Sequence, residues 1–208
     1  MRKIRKFKIS LHYKEILRRI KSAEVDLAAA GFVSESALAV FISSLHQVVD
    51  TGVLYEFNEG SCLELNSAGF THQGPFSLCT MTLGKKIEEQ INCLTNMGQL
   101  TVANIAAYEF LRTALNFVVD LLKEEAKKED LVTENIELLT APVFSYGAEP
   151  KFLREAKHLD ITLVKKVLPD LFKRLETQKI NVNFEEGAVT PKATISFVIP
   201  WFKKKGKK

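Results

Sequence analysis

The feature that most constrains the fold is a run of mostly apolar residues between positions 102 and 122. The apolar side chains cover most of the circumference of a helix rather than one stripe. We therefore predict a long helix, capped by Thr101 and reaching about residue 128, that is buried at the centre of the fold. A membrane span is not expected, because a bilayer rarely accommodates so many polar groups as interrupt this run: Asn104, Glu109, Arg112, Asn116 and Asp120.

The segments around this run alternate between helical and strand-like patterns, which predicts a mixed α+β fold. Ser34 is expected to cap a helix, Gly98 to end one, and Pro169 to begin, kink or split another. Helices are predicted over 13–21, from Ser34 up to Gly52, and over 82–97, 101–128, 150–158 and 161–175. An extended piece is predicted over 7–9, with strands over 53–57, 62–65, 76–79, 180–184 and 193–199.

The charge distribution favours one folded body with basic ends. Ten of the 29 basic residues lie within positions 1–8 and 203–208, leaving 19 basic against 25 acidic residues elsewhere. The 208-residue chain has no internal repeat. We therefore predict a single domain over 1–202 and a solvated basic tail over 203–208. A nucleic-acid partner is not expected, because neither a basic face with interleaved aromatic residues nor a known module is visible.

Cysteine and histidine usage gives little indication of catalysis. Three cysteines without a CxxC pair suggest a reducing compartment and weigh against a structural zinc site. With no secretory signal, the expected location is the cytoplasm. Phosphate-loop, dinucleotide-binding and nucleophile-elbow motifs are also absent from the sequence. A Cys–His dyad stays open, although small cysteines flanked by apolar residues more often pack in a core.

The loop over residues 141–150 (APVFSYGAEP) is the most site-like segment. It places small residues, an aromatic ring with a hydroxyl and a glycine between two predicted helices, where loops often meet ligands. The alternative is a structural turn whose Phe144 and Tyr146 fill the core. Residue types alone favour this second interpretation.

Three stretches, in order, resemble one family. Residues 76–89 (FSLCTMTLGKKIEE) resemble the strand, Thr-Ile-Gly turn and acidic helix start of the activation domain of vitamin B12-dependent methionine synthase. The helix over 103–120 corresponds to that family's central helix. Ser145-Tyr146-Gly147 resembles its Pro-Gly-Tyr loop, and residues 189–197 (VTPKATISF) resemble its closing strand. The N-terminal helix suits the stand-alone bacterial members.

This resemblance implies a single α+β domain with a twisted antiparallel sheet packed by helices. It also implies an accessory protein of corrinoid-dependent methyl transfer, which caps a partner's cobalamin during reductive reactivation. The partners would be corrinoid-binding methyltransferases or methionine synthase modules, and an active member would transfer methyl groups from S-adenosylmethionine. The cofactor-binding residues implied are Ser145, Tyr146, Gly147 and Asn116, with Tyr146 facing the cobalamin.

Departures from the family pattern concern the methyl-donor site. The family's arginine falls on Ala141, its turn proline on Phe144 and its acids near Asn116 and Tyr108. Alanine cannot replace the donor fork of an arginine, which predicts a degraded S-adenosylmethionine site. Glu109 would supply an acid only if the helix were rotated relative to this alignment. The alternative function is a non-catalytic interaction protein that keeps the fold without the ligand.

Overall fold

The computed structural model describes residues 1–142, 144 and 150–204. The helices are α1 (Tyr13–Ser22), α2 (Glu35–Gln47), α3 (Leu63–Ser67), α4 (Lys85–Asn92), α5 (Met97–Lys128), α6 (Lys151–Arg154) and α7 (Ile161–Arg174). A 3-10 turn follows at Thr177–Ile180. The strands are β1 (Arg2–Arg5), β2 (Gly52–Asn58), β3 (Phe76–Thr82), β4 (Leu131–Thr133), β5 (Glu137–Thr140), β6 (Lys157–His158), β7 (Asn183–Glu185), β8 (Ala188–Thr190) and β9 (Thr194–Lys203).

The main sheet is mostly antiparallel and runs in the order β1-β2-β3-β9-β5-β6, with β4 also paired to β9. Only β5 and β6 pair in parallel among the described strands, and β7 and β8 form a separate hairpin. The last strand along the described chain, β9, therefore lies at the centre of the sheet. The predicted α+β fold is confirmed.

Strand alternation divides the core into two clusters on opposite faces of the sheet, because successive side chains of a strand point to opposite sides. Phe197 of β9 belongs to the cluster that includes residues of α1, α2, α4 and α5, whereas its neighbour Val198 belongs to the cluster that includes residues of α3, α7 and the 3-10 turn. Both clusters collect residues from across the chain. Helices consequently cover both faces of the central strands.

Helix α5 is the buried helix that its composition predicts, and every residue from position 102 to position 111 is buried. It begins at Met97, four residues before the predicted start at 101, because the Asn96 side chain accepts a hydrogen bond from the main-chain N–H of Gln99 (3.1 Å). Thr101 is therefore not the cap. Gly98 lies inside the helix rather than ending the preceding one.

Several other boundaries differ from the sequence prediction. Residues 62–65 form the cap and start of α3 rather than a strand. Helix α4 covers only Lys85–Asn92 of the range predicted over 82–97, because Thr82 ends β3 and Met97 begins α5. An extended piece is predicted over 7–9, but the first strand, β1, lies earlier, at Arg2–Arg5. The strand predicted over 180–184 is shorter and later, at Asn183–Glu185 (β7). Ser34 caps α2 as predicted, and Pro169 lies within α7.

Candidate functional site

Three of the four predicted cofactor-binding residues, Ser145, Tyr146 and Gly147, lie outside the described residues. The positions on either side of this loop are described. The Phe144 ring meets the Tyr108 ring of α5 edge-on, with centroids 4.7 Å apart, and Pro150 is buried at the start of α6. Both ends of the predicted loop therefore lie close to the central helix or to the helix that follows.

The fourth predicted residue, Asn116, is exposed on α5. It lies eight positions after Tyr108, which corresponds to about 12 Å along a helix axis. Its neighbour Phe117 stacks on Phe7, with ring centroids 4.8 Å apart. Asn116 is thus on the helix that the resemblance points to, but two turns beyond the aromatic contact with Phe144.

An open cavity of about 330 Å³ lies where α1, α5 and the start of α6 meet. We call it the arginine cleft. Two cations come from α1 and two from α6, and the apolar part of the lining comes mainly from α5. The lining residues are Arg18, Arg19, Ser22, Ala23, Ile105, Tyr108, Pro150, Lys151 and Arg154.

A buried carboxylate lies beside the cleft and orders one of these cations. Only 1% of the Glu109 side chain is exposed. Its Oε1 accepts a hydrogen bond from Nε of Arg112 (2.8 Å), and its Oε2 lies 3.0 Å from Nε of Arg19. Hydrogen bonding to Glu109 raises the pKa of Arg112. Because a buried carboxylate is costly without compensation, Glu109 fixes α1 to α5 through this ion cluster.

Glu15 completes the ion cluster from α1. It accepts hydrogen bonds from Nε and Nη2 of Arg18, at 2.9 and 2.7 Å, and a longer one from Nε of Arg19, at 3.3 Å. The bonds from Arg18 are the main cause that lowers the pKa of Glu15 from 4.5 to about 2. Glu15 is therefore ionised at neutral pH, and it holds the two arginines side by side.

The contacts of Glu109 show whether this residue is available as the acid of a methyl-donor site. Glu109 is an acid on the central helix, but both of its oxygens face arginines. The link between Arg19 and Glu109 joins residues 90 positions apart, so sequence spacing alone offered no signal for it. The pairing of Glu109 with Arg112, three residues later on the same helix, is the part that helical periodicity could have found.

S-adenosylmethionine carries a positively charged sulfonium, so a site that binds it should not be lined by cations alone. Among the described residues, four cations and no carboxylate line the cavity. The nearby acids are already ion-pair partners of those cations: Glu15, Glu109 and Glu155. The described cleft residues therefore do not fit a cationic methyl donor, because a sulfonium placed there would meet like charges.

The other histidine, cysteine and acidic side chains that the structure describes do not form a second candidate centre. Within 1–142, 144 and 150–204, no three His, Cys, Asp or Glu side chains are grouped so that they could hold a metal ion. Cys62 and Cys79 are buried, Cys93 is exposed, and burial raises the pKa of the Cys79 thiol. The ring nitrogens of His46, His72 and His158 bond main-chain carbonyl oxygens rather than a thiol.

The described helices give no candidate for a bilayer-crossing segment, since none combines the required length with sufficient apolar character. This agrees with the polar interruptions found in the long apolar run.

Comparison with known proteins adds no relative from which residue roles could be transferred. Neither the models of known families nor the curated proteins give a match to this chain.

Proposed function

We propose that this chain is an accessory protein of corrinoid-dependent methyl transfer with a degraded S-adenosylmethionine site. It would cover the cobalamin held by a corrinoid-binding methyltransferase or methionine synthase module while that cobalamin is reductively reactivated. The loop over residues 145–147 would face the cofactor. The free cysteines are typical of a reducing compartment, which would fit a cytoplasmic location.

The observation that carries this proposal is the position of the loop's two ends relative to the buried helix. The sequence resemblance joins a central helix to a loop containing a tyrosine, and Phe144 packs against Tyr108 of that helix. Pro150 returns the chain to the same region, beside an open cleft. The mostly antiparallel sheet and the fully buried segment of α5 add general support for this family of folds.

The proposal assigns Tyr146 a contact rather than a chemical step. A tyrosine ring covers apolar cofactor surface, while its hydroxyl bonds a polar group or water at the edge. Such a cap excludes water from the partner's cofactor and limits the directions from which other molecules approach it. No proton or methyl group needs to move through the capping loop itself.

Replacing Tyr146 by phenylalanine is expected to weaken binding to a cobalamin-loaded partner with little change in stability. One lost hydrogen bond of about 0.5–1.5 kcal/mol corresponds to roughly a two- to tenfold loss of affinity. The measurement is titration with the cobalamin-binding module of a methionine synthase, loaded with cob(II)alamin, followed by its visible absorption. Thermal unfolding of the same samples reports stability.

The matched control is Tyr13→Phe, which removes a hydroxyl that donates to the main-chain oxygen of Glu35 (3.2 Å) and that the proposal does not assign to the cofactor contact. It should leave partner binding unchanged. If Tyr146→Phe instead lowers the free energy of unfolding by about 1 kcal/mol without altering partner binding, Tyr146 is a core residue and the capping role is wrong.

S-adenosylmethionine is expected to bind weakly or not at all. Loss of the family's arginine at Ala141 removes a charge-assisted contact of about 1.5–3 kcal/mol, or roughly ten- to a hundredfold in affinity. The cations of the arginine cleft add repulsion toward the sulfonium. Isothermal titration calorimetry of the full chain measures this directly, and low-micromolar binding would restore the methyl-transfer interpretation.

A non-catalytic interaction protein is the second candidate, and the cationic lining of the cleft favours it. If the full chain binds neither S-adenosylmethionine nor any cobalamin-loaded module, this alternative is the better one. The fold would then serve as a scaffold whose ligand or partner carries negative charge.

A further inference from the structure

We infer that the arginine cleft binds a small organic anion, namely a carboxylate or phosphate ester that carries an apolar group. This inference goes beyond the proposed function and does not rest on it, since it concerns a small-molecule site and needs no corrinoid partner. Three observations support it: the cations that line the cleft, the arginine donors that internal ion pairs leave unused, and the apolar part of the lining.

The charge of the cleft is supplied by elements far apart in the sequence. Arg18 and Arg19 come from α1, and Lys151 and Arg154 come from α6. Folding thus gathers four cations around one cavity of about 330 Å³, with no carboxylate among its described lining residues. The carboxylates of Glu15, Glu109 and Glu155 offset part of this charge from outside the cavity. The cavity itself still presents cations, which attract a bound anion.

Several donors of the cleft are left over after the internal ion pairs are formed. The guanidinium group of Arg154 makes no hydrogen bond or ion pair with any described residue, although the Arg154 main-chain N–H donates to Pro150. Lys151 has one exposed contact with Glu155 at 3.5 Å. Arg19 contacts Glu15 and Glu109 through Nε, and its two terminal nitrogens make no hydrogen bond to the described residues. Guanidinium groups with spare donors match carboxylate and phosphate oxygens.

Arg19 is also ordered before any ligand arrives. Its side chain is only 22% exposed, because Glu109 holds it from α5 and Glu15 holds it from α1. A cation already fixed in place loses little conformational freedom when it binds an anion. The buried carboxylate therefore acts as a support that orients Arg19 rather than as a ligand-binding group.

The apolar lining defines the other half of the ligand. Ile105 and Tyr108 are 7% and 5% exposed, and Ala23 and Pro150 complete the less polar part of the cavity. Its volume is at the small end of the range for small-molecule sites. A compact apolar group next to the anionic group would contact this surface, whereas inorganic phosphate would use only the cations.

The test titrates the full chain with phenyl phosphate, benzoate and inorganic phosphate, using calorimetry and the methyl NMR signal of Ile105. At least one of the two aromatic anions is expected to bind saturably, to shift the Ile105 signal and to bind more tightly than inorganic phosphate. The tighter of phenyl phosphate and benzoate identifies which anionic group the cleft prefers. Absence of saturable binding of both aromatic anions up to about 10 mM overturns the inference.

The variant Lys151→Gln/Arg154→Gln removes two exposed cations of the cleft and should weaken binding at least about tenfold. Its control is Lys165→Gln/Lys166→Gln, which removes two exposed cations of α7 and should leave the affinity within about twofold. Equal losses in both variants would indicate general charge attraction, and no loss in the first would place the ligand elsewhere. Either result overturns the inference.

Discussion

Replacing Phe110 by alanine is expected to lower the free energy of unfolding by about 3–5 kcal/mol, the range for truncating a buried aromatic side chain. Phe110 is 1% exposed near the end of the buried segment of α5, and its ring meets that of His46 of α2, with centroids 5.2 Å apart. The truncation leaves a cavity that the surrounding helices and sheet fill only in part. Equilibrium unfolding in urea, followed by circular dichroism, measures the loss.

The matched control for Phe110 lies two turns further along the same helix. Phe117 is 42% exposed, and its main aromatic contact is the stacked ring of Phe7. Phe117→Ala is therefore expected to cost only about 0.5–1.5 kcal/mol. Similar losses for the two variants would contradict the assignment of α5 as the helix buried at the centre of the fold.

Replacing Glu109 by alanine is expected to lower the free energy of unfolding by about 2–4 kcal/mol. Breaking a buried ion pair from one side typically costs about 3–5 kcal/mol, and the partial exposure of both arginines reduces that value. Arg19 and Arg112 would lose their shared carboxylate while their side chains stay 22% and 30% exposed. Urea unfolding at neutral pH, where Glu15 remains charged, measures the effect.

Glu124→Ala provides the comparison for Glu109, because it also removes a carboxylate of α5 that pairs with a cation three residues later. Glu124 is 64% exposed, and so is its partner Lys127. Exposed pairs of this kind contribute about 0.5 kcal/mol or less. If Glu109→Ala costs no more than Glu124→Ala, the ion cluster does not hold α1 to α5.

The difference between the predicted and observed starts of α5 has a local physical cause. Gly98 followed by Thr101, a good capping residue, predicts that one helix ends and another begins. In the structure, a Cβ at Gly98 would lie 2.5 Å from the Cβ of Ala30. Gly98 is therefore a point of close packing within the helix, where a side chain would not fit. That contact joins residues 68 positions apart, and no local pattern encodes it.

The error at residues 62–65 came from an ambiguous short pattern. The short pattern over residues 62–65 predicts a strand. In the structure, however, Leu63 is 80% exposed, whereas Cys62 and Leu65 are buried. Spacing by three is the helical pattern, and α3 begins at Leu63. Conversely, the short strands β4 and β5 escaped detection because pairing with β9, more than fifty residues later, is what makes them strands.

Much less of the candidate site than of the fold could be predicted. The sequence singled out the loop over 145–147 and the central helix, but it gave no reason to connect Arg18 and Arg19 with Arg154. Those residues share a cleft only because α1 and α6 both pack near Ile105 and Tyr108. Tertiary proximity of cations is not encoded in periodicity, whereas burial of an apolar helix is.

The central position of β9 has a consequence for biosynthesis. The ribosome makes β1, β2 and β3 early and β5 and β6 much later. Among the described strands, only β9 joins these two groups, and it is the last of them to be made. Until residues 194–203 emerge, the nascent chain exposes open strand edges on β3 and β5. Completion of the sheet is thus a late, long-range event, which exposes the newborn chain to edge-to-edge association and gives chaperones an interval in which to act.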